Sequence, residues 1–93
     1  MAALSRQLAQ WAAGLRYEDL PPAVIDRARG VTLHGLASVL LGSRTRDGQQ
    51  AVRLVVEEER GVTSGATVMV DGARVTKGGA AFANAEMAMA GGK

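Results

Sequence analysis

The sequence predicts a mainly α-helical fold, a small helical domain of about four helices with a short β-hairpin, formed by residues 1–93 as one domain. Three observations predict this fold. Apolar residues recur every three or four positions along most of the chain, which is the period of an α-helix. Alternation with a period of two is confined to the region around residues 66–75. The length of 93 residues provides enough chain for one small domain.

The first helix is predicted at about residues 3–14, and Gly14 suits its C-terminal cap. Its apolar face is defined by intervals of four, three and four residues: Leu4, Leu8, Trp11 and Leu15. The stretch "RYEDLPP" then interrupts the helical pattern. Two consecutive prolines cannot lie inside a helix but suit its first turn, so they predict the start of a second helix at Pro21.

The second helix is predicted at about residues 21–42 and ends at Gly42. Its wide apolar stripe predicts contact with more than one neighbour. The stripe contains Ile25, Ala28, Thr32, Leu36 and Val39. Each glycine in a helix interior costs about 1 kcal/mol relative to alanine. Gly30 and Gly35 therefore predict that the backbone of another helix approaches closely at these positions.

Asp47 is the predicted N-cap of a third helix at about residues 48–60. Its inward-facing residues are predicted to be Ala51, Val52, Val55 and Val56. Glu57, Glu58 and Glu59 follow in the same helix and point in three directions around it. This divergence favours a solvated face over a metal site or an acid–base pair.

A hairpin is predicted next, with strands at about residues 66–70 and 73–75, because Asp71-Gly72 is a strong turn signal. The alternation places Val68 and Val70 on the same face. Thr76 is predicted to cap a last helix at about residues 77–90. The alanine-rich face of that helix predicts tight packing: Ala81, Ala85 and Ala88.

Composition excludes several classes of protein. The net charge of +2 comes from 11 basic and 9 acidic residues whose signs are interspersed, so no nucleic-acid partner is expected. The chain has no cysteine and no apolar run near the roughly 20 residues of a membrane span. We therefore expect a cytoplasmic protein with no membrane partner. Aromatic residues make up only 3%, so small side chains must form the core, which favours association with a partner.

Few residues have side chains suited to catalysis or ligand binding. His34 is the single histidine and is interpreted as a structural or surface residue; a metal site needs three or four ligands, so no metal is expected. Met87 and Met89 are interpreted as gap fillers and not as soft metal ligands. Asn84 lies in an apolar helical run, where a buried amide without partners costs about 1–3 kcal/mol. Two roles stay open for Asn84, holding a neighbouring backbone or binding a carboxylate.

Three stretches carry a family resemblance: "GLRYEDLPPAVIDRAR", "GATV" and "AAFANAEMAMA". Together they make nearly the whole chain resemble the N-terminal helical domain of the MmgE/PrpD family. That family includes 2-methylcitrate dehydratase, cis-aconitate decarboxylase and iminodisuccinate epimerase. The resemblance implies cofactor-free removal of a proton next to a carboxylate of a small di- or tricarboxylic acid. It also implies a homo-oligomer, since members usually form homodimers.

The resemblance weakens at the family's active-site motif. Typical members continue the last helix as Asn-Gly-x-x-x-His-Ala-Leu-Asp-x-Asp-Asp. Here Asn84 matches the asparagine, Ala85 replaces the glycine and Met89 stands at the histidine position. Methionine has no titratable proton, so it cannot replace an acid–base histidine. His34 also stands where members often carry aspartate. The resemblance therefore implies that this chain carries no catalytic residue. It also implies that three residues lie at the edge of a substrate pocket: Asn84, Met89 and Lys93.

Three hypotheses follow from this incomplete motif. The first is a small subunit of an MmgE/PrpD-type lyase or isomerase, inactive alone and completed by a larger, family-related chain. The second is a non-catalytic helical module for dimerisation or regulation. The third is a fragment of an ordinary full-length enzyme. The first is preferred, because proton abstraction requires a matched base and stabilisation of the developing charge.

Overall fold

A computed structural model describes residues 3–59, 61–62 and 65–92. These residues form a mainly α-helical fold with one short antiparallel hairpin, which confirms the predicted fold class. The helices are α1 (Leu4–Gly14), α2 (Pro22–Gly42), α3 (Arg46–Glu59) and α4 (Lys77–Gly91), the strands are β1 (Ala66–Thr67) and β2 (Arg74–Val75), and Tyr17–Asp19 form a 3₁₀ turn. None of the described helices is long and apolar enough to cross a membrane.

The chain divides into two compact units, residues 1–30 and residues 31–93. The first unit contains α1, the 3₁₀ turn and the N-terminal part of α2. The carboxylate of Asp19 accepts a hydrogen bond from the Arg16 N–H at 3.0 Å. This contact fixes the 3₁₀ turn that precedes the two prolines. No residue of α1 is buried, and Leu4, Leu8 and Trp11 are all exposed. The predicted helix is therefore present.

The core of the second unit lies between α3, α4, the hairpin and the C-terminal end of α2. Its buried residues are Val39, Val55, Val68, Val75, Ala80, Ala83 and Met87. Met87 is fully buried, in agreement with its interpretation as a gap filler. The predicted packing face of α4 is wrong at Ala81 and Ala85, which are exposed, and right at Ala88, which is partly buried against the core. The inward face instead runs through Ala80, Ala83 and Met87, whose spacing of three and four residues also places them on one side of a helix.

The close approach of two helix backbones occurs at Gly42 and not at the predicted glycines. A Cβ atom at Gly42 would collide with the backbone carbonyl of Met87, and a Cβ atom at Gly91 would collide with the carbonyl of Ser38. At Gly35, as at Gly30, an added Cβ would meet no described atom within 4 Å. The C-terminal ends of α2 and α4 therefore pack with no side chain between them.

Thr45, and not the predicted Asp47, caps α3. The Thr45 hydroxyl accepts a hydrogen bond from the Gly48 N–H at 3.0 Å and donates one to the Gly42 carbonyl at 2.7 Å. The helix consequently begins at Arg46, and Asp47 lies in its first turn. A carboxylate in the first turn still interacts favourably with the helix dipole, which is why the sequence signal was misleading by two positions.

The hairpin is shorter than predicted, with Ala66 opposite Val75 and Thr67 opposite Arg74. The Val68 N–H still donates to the Ala73 carbonyl at 2.9 Å, but residues 69–72 form a four-residue loop. Val70 in this loop has a positive φ of 69°. The predicted alternation therefore fails at this point: Val68 is fully buried, whereas Val70 is 60% exposed.

Candidate functional site

Asn84 on α4 holds the backbone of the hairpin. Its Oδ1 accepts a hydrogen bond from the Met69 N–H at 2.8 Å, and its Nδ2 donates one to the Thr67 carbonyl at 3.2 Å. The amide thus contacts the chain on both sides of Val68. Of the two roles left open by the sequence, the structure places Asn84 in the one that holds a neighbouring backbone. Its binding of a substrate carboxylate stays a prediction.

The other two residues suggested for the substrate pocket are not gathered around Asn84. Met89 is five positions further along α4, which corresponds to a rotation of about 140° around the helix axis. Its side chain is mostly exposed, whereas Asn84 is half-buried. Lys93 lies outside the described residues. The roles of Met89 and Lys93 at a substrate pocket therefore remain predictions, and the structure does not bring Asn84 and Met89 onto one face.

The N-terminus of α4 is fixed by a carboxylate from α3. Oε2 of Glu59 accepts hydrogen bonds from the Thr76 N–H at 3.1 Å and from the Thr76 hydroxyl at 2.6 Å. The Thr76 hydroxyl in turn accepts one from the Gly79 N–H at 3.0 Å, which confirms Thr76 as the predicted cap. A negative charge at a helix N-terminus is favourable because of the helix dipole. Glu59 is thus half-buried and structural, in contrast to the predicted solvated face.

A polar cleft of about 400 Å³ lies between α3 and the hairpin loop. One wall is a single face of α3 that carries Gln49, Arg53 and Glu57 at intervals of four residues. The other wall contains Asp71, whose Oδ1 accepts a hydrogen bond from the Ala73 N–H at 3.1 Å. The rest of the described lining is Ser43 and four apolar residues, Val52, Val56, Val70 and Met87, so the cleft that we call the polar cleft is in fact as much apolar as polar. The cleft was not predicted, although the four-residue spacing on α3 was visible in the sequence.

The described residues that line the polar cleft include one guanidinium and two carboxylates, whose formal charges sum to a negative value. Its hydrogen-bonding groups suit a small polar molecule better than a polyanionic acid, which would be repelled by Glu57 and Asp71. No histidine lines it. His34 lies on the exposed surface of α2. Among residues 3–59, 61–62 and 65–92, no group of three or more histidine or carboxylate side chains is arranged to hold a metal ion.

Comparison with known proteins identifies one family. Residues 6–90 match the family model of the MmgE/PrpD N-terminal domain, so the match covers nearly the whole chain. Neither the curated proteins nor the solved structures contain a significant match.

Proposed function

We propose, because the chain belongs to the MmgE/PrpD N-terminal domain family, that it is the helical portion of an MmgE/PrpD-type lyase or isomerase. Its substrate would be a small di- or tricarboxylate, converted without a cofactor. The chain is inactive alone and is completed by a larger, family-related chain. The single observation that carries this proposal is the family match over residues 6–90.

The need for a partner follows from the chemistry of the reaction. Removal of a proton next to a carboxylate requires a base close to the substrate and groups that stabilise the enolate-like charge. The chain has methionine at position 89, where the family motif carries histidine. His34 is exposed on α2, and the described lining of the polar cleft carries a negative formal charge that disfavours a polycarboxylate. We infer that the base and the cationic substrate ligands come from the larger chain.

The uncovered apolar surface supports the same proposal. All four residues of the α1 stripe are exposed, from 39% at Leu15 to 80% at Leu4. Soluble proteins that function as monomers rarely expose contiguous apolar patches larger than a few hundred Å². A stripe of this kind is typical of a helix that packs against another apolar surface, which the larger chain would supply.

Co-expression with the longer MmgE/PrpD-family chains of the same genome tests the proposal. The chain, each longer protein and each mixture are purified and assayed for dehydration, decarboxylation and epimerisation of small polycarboxylates. We expect a stable complex and turnover only when both chains are present. Activity of the purified chain alone above background would contradict the proposal.

The exposed α1 stripe also favours a second candidate, a non-catalytic module for dimerisation or regulation. Light scattering distinguishes the two candidates. A tight homo-oligomer that neither binds nor activates any longer family member supports the second. A chain whose mass in solution increases only when a longer family member is added supports the first.

A further inference from the structure

The polar cleft has the size of a small-molecule site. Its volume of about 400 Å³ falls within the roughly 300–1,000 Å³ that is typical of ligand pockets. All of its described lining residues belong to the compact unit of residues 31–93, so its walls come from one unit of the chain. The proposed function gives this cleft no role, because its negative lining disfavours a polycarboxylate.

Two charged side chains on α3 are available to a ligand. Arg53 and Glu57 line the cleft and are exposed, and neither makes a hydrogen bond or an ion pair within the described part of the chain. Arginine four positions before glutamate is the less favourable order for an ion pair along a helix. The Cβ atoms of residues at this spacing lie about 5–6 Å apart. A molecule with opposite charges a few ångströms apart can therefore contact both side chains.

The carboxylate on the opposite wall is held in place by its own loop. The Asp71 N–H donates to the Met69 carbonyl at 2.8 Å, and Oδ1 of Asp71 accepts from the Ala73 N–H at 3.1 Å. Its second oxygen, Oδ2, has no hydrogen-bond partner among the residues that the structure describes. A group that is already ordered costs less entropy when it binds a ligand. Asp71 is thus a preorganised acceptor that faces the α3 wall.

The apolar part of the lining lies between these charges. Val56 and Met87 are buried, and Val52 is half-buried. Ligand pockets commonly combine an apolar surface with a few polar groups that orient the bound molecule. An alkyl chain that carries charged ends matches this arrangement better than an inorganic ion, which would leave the apolar surface without a contact.

The charges of the lining select the charges of the ligand. One guanidinium and two carboxylates are complemented by one carboxylate and two cationic groups. The planar guanidinium of arginine is suited to a carboxylate, which it can bind through two parallel hydrogen bonds. We propose that the polar cleft binds a small basic amino acid of the lysine type, whose carboxylate pairs with Arg53 and whose two ammonium groups pair with Glu57 and Asp71. This inference is independent of the proposed function, since all of these groups belong to this chain.

Three matched probes test the charge assignment. L-Lysine carries all three charges, L-norleucine lacks the side-chain ammonium, and cadaverine lacks the carboxylate. Each is titrated into the purified chain, and amide chemical shifts are followed by NMR. We expect saturable shifts around the cleft, and a Kd for L-lysine about two- to fivefold lower than for either analogue, the range expected for one exposed ion pair. The absence of saturable shifts with L-lysine, or equal affinity for all three probes, would overturn the proposal.

Arg53→Gln separates the carboxylate contact from the general charge of the protein. It should raise the Kd for L-lysine about two- to fivefold, but it should not raise the Kd for cadaverine, which has no carboxylate. Arg46→Gln is the matched control, because Arg46 is exposed on the same helix, does not line the cleft and has the same charge. Equal effects of the two substitutions on L-lysine binding would overturn the assigned role of Arg53.

Glu57→Gln tests one of the two cation contacts, with Glu58→Gln as its control. Glu58 is exposed on the same turn of α3 and does not line the cleft. Glu57→Gln should raise the Kd for both L-lysine and cadaverine, whereas Glu58→Gln should leave both unchanged. Both residues are exposed, so neither substitution should shift the melting temperature appreciably. Unchanged binding of L-lysine by Glu57→Gln would contradict the proposed pairing of its ammonium groups.

Discussion

The side chain of Asn84 fixes the backbone of Met69, which lies 15 residues earlier in the sequence, because its Oδ1 accepts a hydrogen bond from the Met69 N–H at 2.8 Å. The same amide donates to the Thr67 carbonyl. Asn84 therefore shapes the hairpin loop that carries Val70. The position of the Val70 side chain depends on this contact, because Met69 is the residue next to Val70.

Asn84→Ala should destabilise the fold. The substitution leaves the Met69 N–H and the Thr67 carbonyl, which belong to exposed residues, without this partner, and each hydrogen bond typically contributes a net of about 0.5–1.5 kcal/mol. We expect the free energy of unfolding, measured by urea titration and circular dichroism, to fall by about 1–3 kcal/mol. Gln50→Ala removes an exposed amide from α3 and should change it by less than about 0.5 kcal/mol. Equal stability of the two variants would show that the Asn84 contacts contribute nothing.

Glycines 42 and 35 offer a paired test of the helix packing. Gly42→Ala should destabilise by about 3 kcal/mol or more, because its Cβ would collide with the Met87 carbonyl and the backbones must separate. The Cβ atom that Gly35→Ala adds would meet no described atom within 4 Å, and the substitution removes a glycine from a helix interior. It should stabilise by about 0.5–1 kcal/mol. Thermal melting gives the sign of both effects, and destabilisation by Gly35→Ala would indicate a neighbour at that position.

Glu59→Ala should weaken the N-terminus of α4. The variant loses two hydrogen bonds to Thr76 and a favourable charge at the helix terminus. Because Glu59 is only half-buried, we expect a loss of about 1–2 kcal/mol in the free energy of unfolding. Glu58→Ala is the control, since Glu58 is exposed on the same turn of α3. Equally small effects of Glu59→Ala and Glu58→Ala would mean that the three glutamates form one solvated face, as the sequence alone suggested.

Val70→Gly should stabilise the isolated chain. Glycine relieves a left-handed conformation that costs about 1–2 kcal/mol for other residues, but it also increases the entropy of the unfolded chain. The expected net gain is about 0.5–1 kcal/mol, which corresponds to a rise of roughly 2–8 °C in Tm for a domain of this size. A fall in Tm on scanning calorimetry would show that Val70 contributes to the core, in contrast to its 60% exposure.

Local signals predicted the elements, and long-range contacts produced the departures from the predictions. The prolines and Thr76 mark helix starts through chemistry within one turn, and the predicted starts of α2 and α4 agree with the structure to within one residue. The functions of Glu59 and Asn84 depend on partners 17 and 15 residues away, which periodicity does not reveal. Gly35 and Gly42 have the same local propensity, and only the position of α4 distinguishes them.

The candidate site was predicted less completely than the fold. The cost of an unpartnered amide in an apolar helix predicted a specific polar role for Asn84, and the backbone contact is one of the two roles that it left open. The polar cleft was missed because its second wall is formed by the hairpin loop around Asp71. The expected alternation would have buried Val70 beside Val68, and the positive φ reversed it. No local pattern predicts a β-branched residue in the left-handed region.

Rate measurement at a fixed concentration of the larger MmgE/PrpD-family chain tests the central claim most directly. The purified chain is added in increasing amounts, and conversion of a small polycarboxylate is followed. Completion by a partner predicts a negligible rate for each protein alone and a rate that rises and saturates near a one-to-one ratio. A rate that is unchanged by the added chain, or conversion by the chain alone, would contradict the claim.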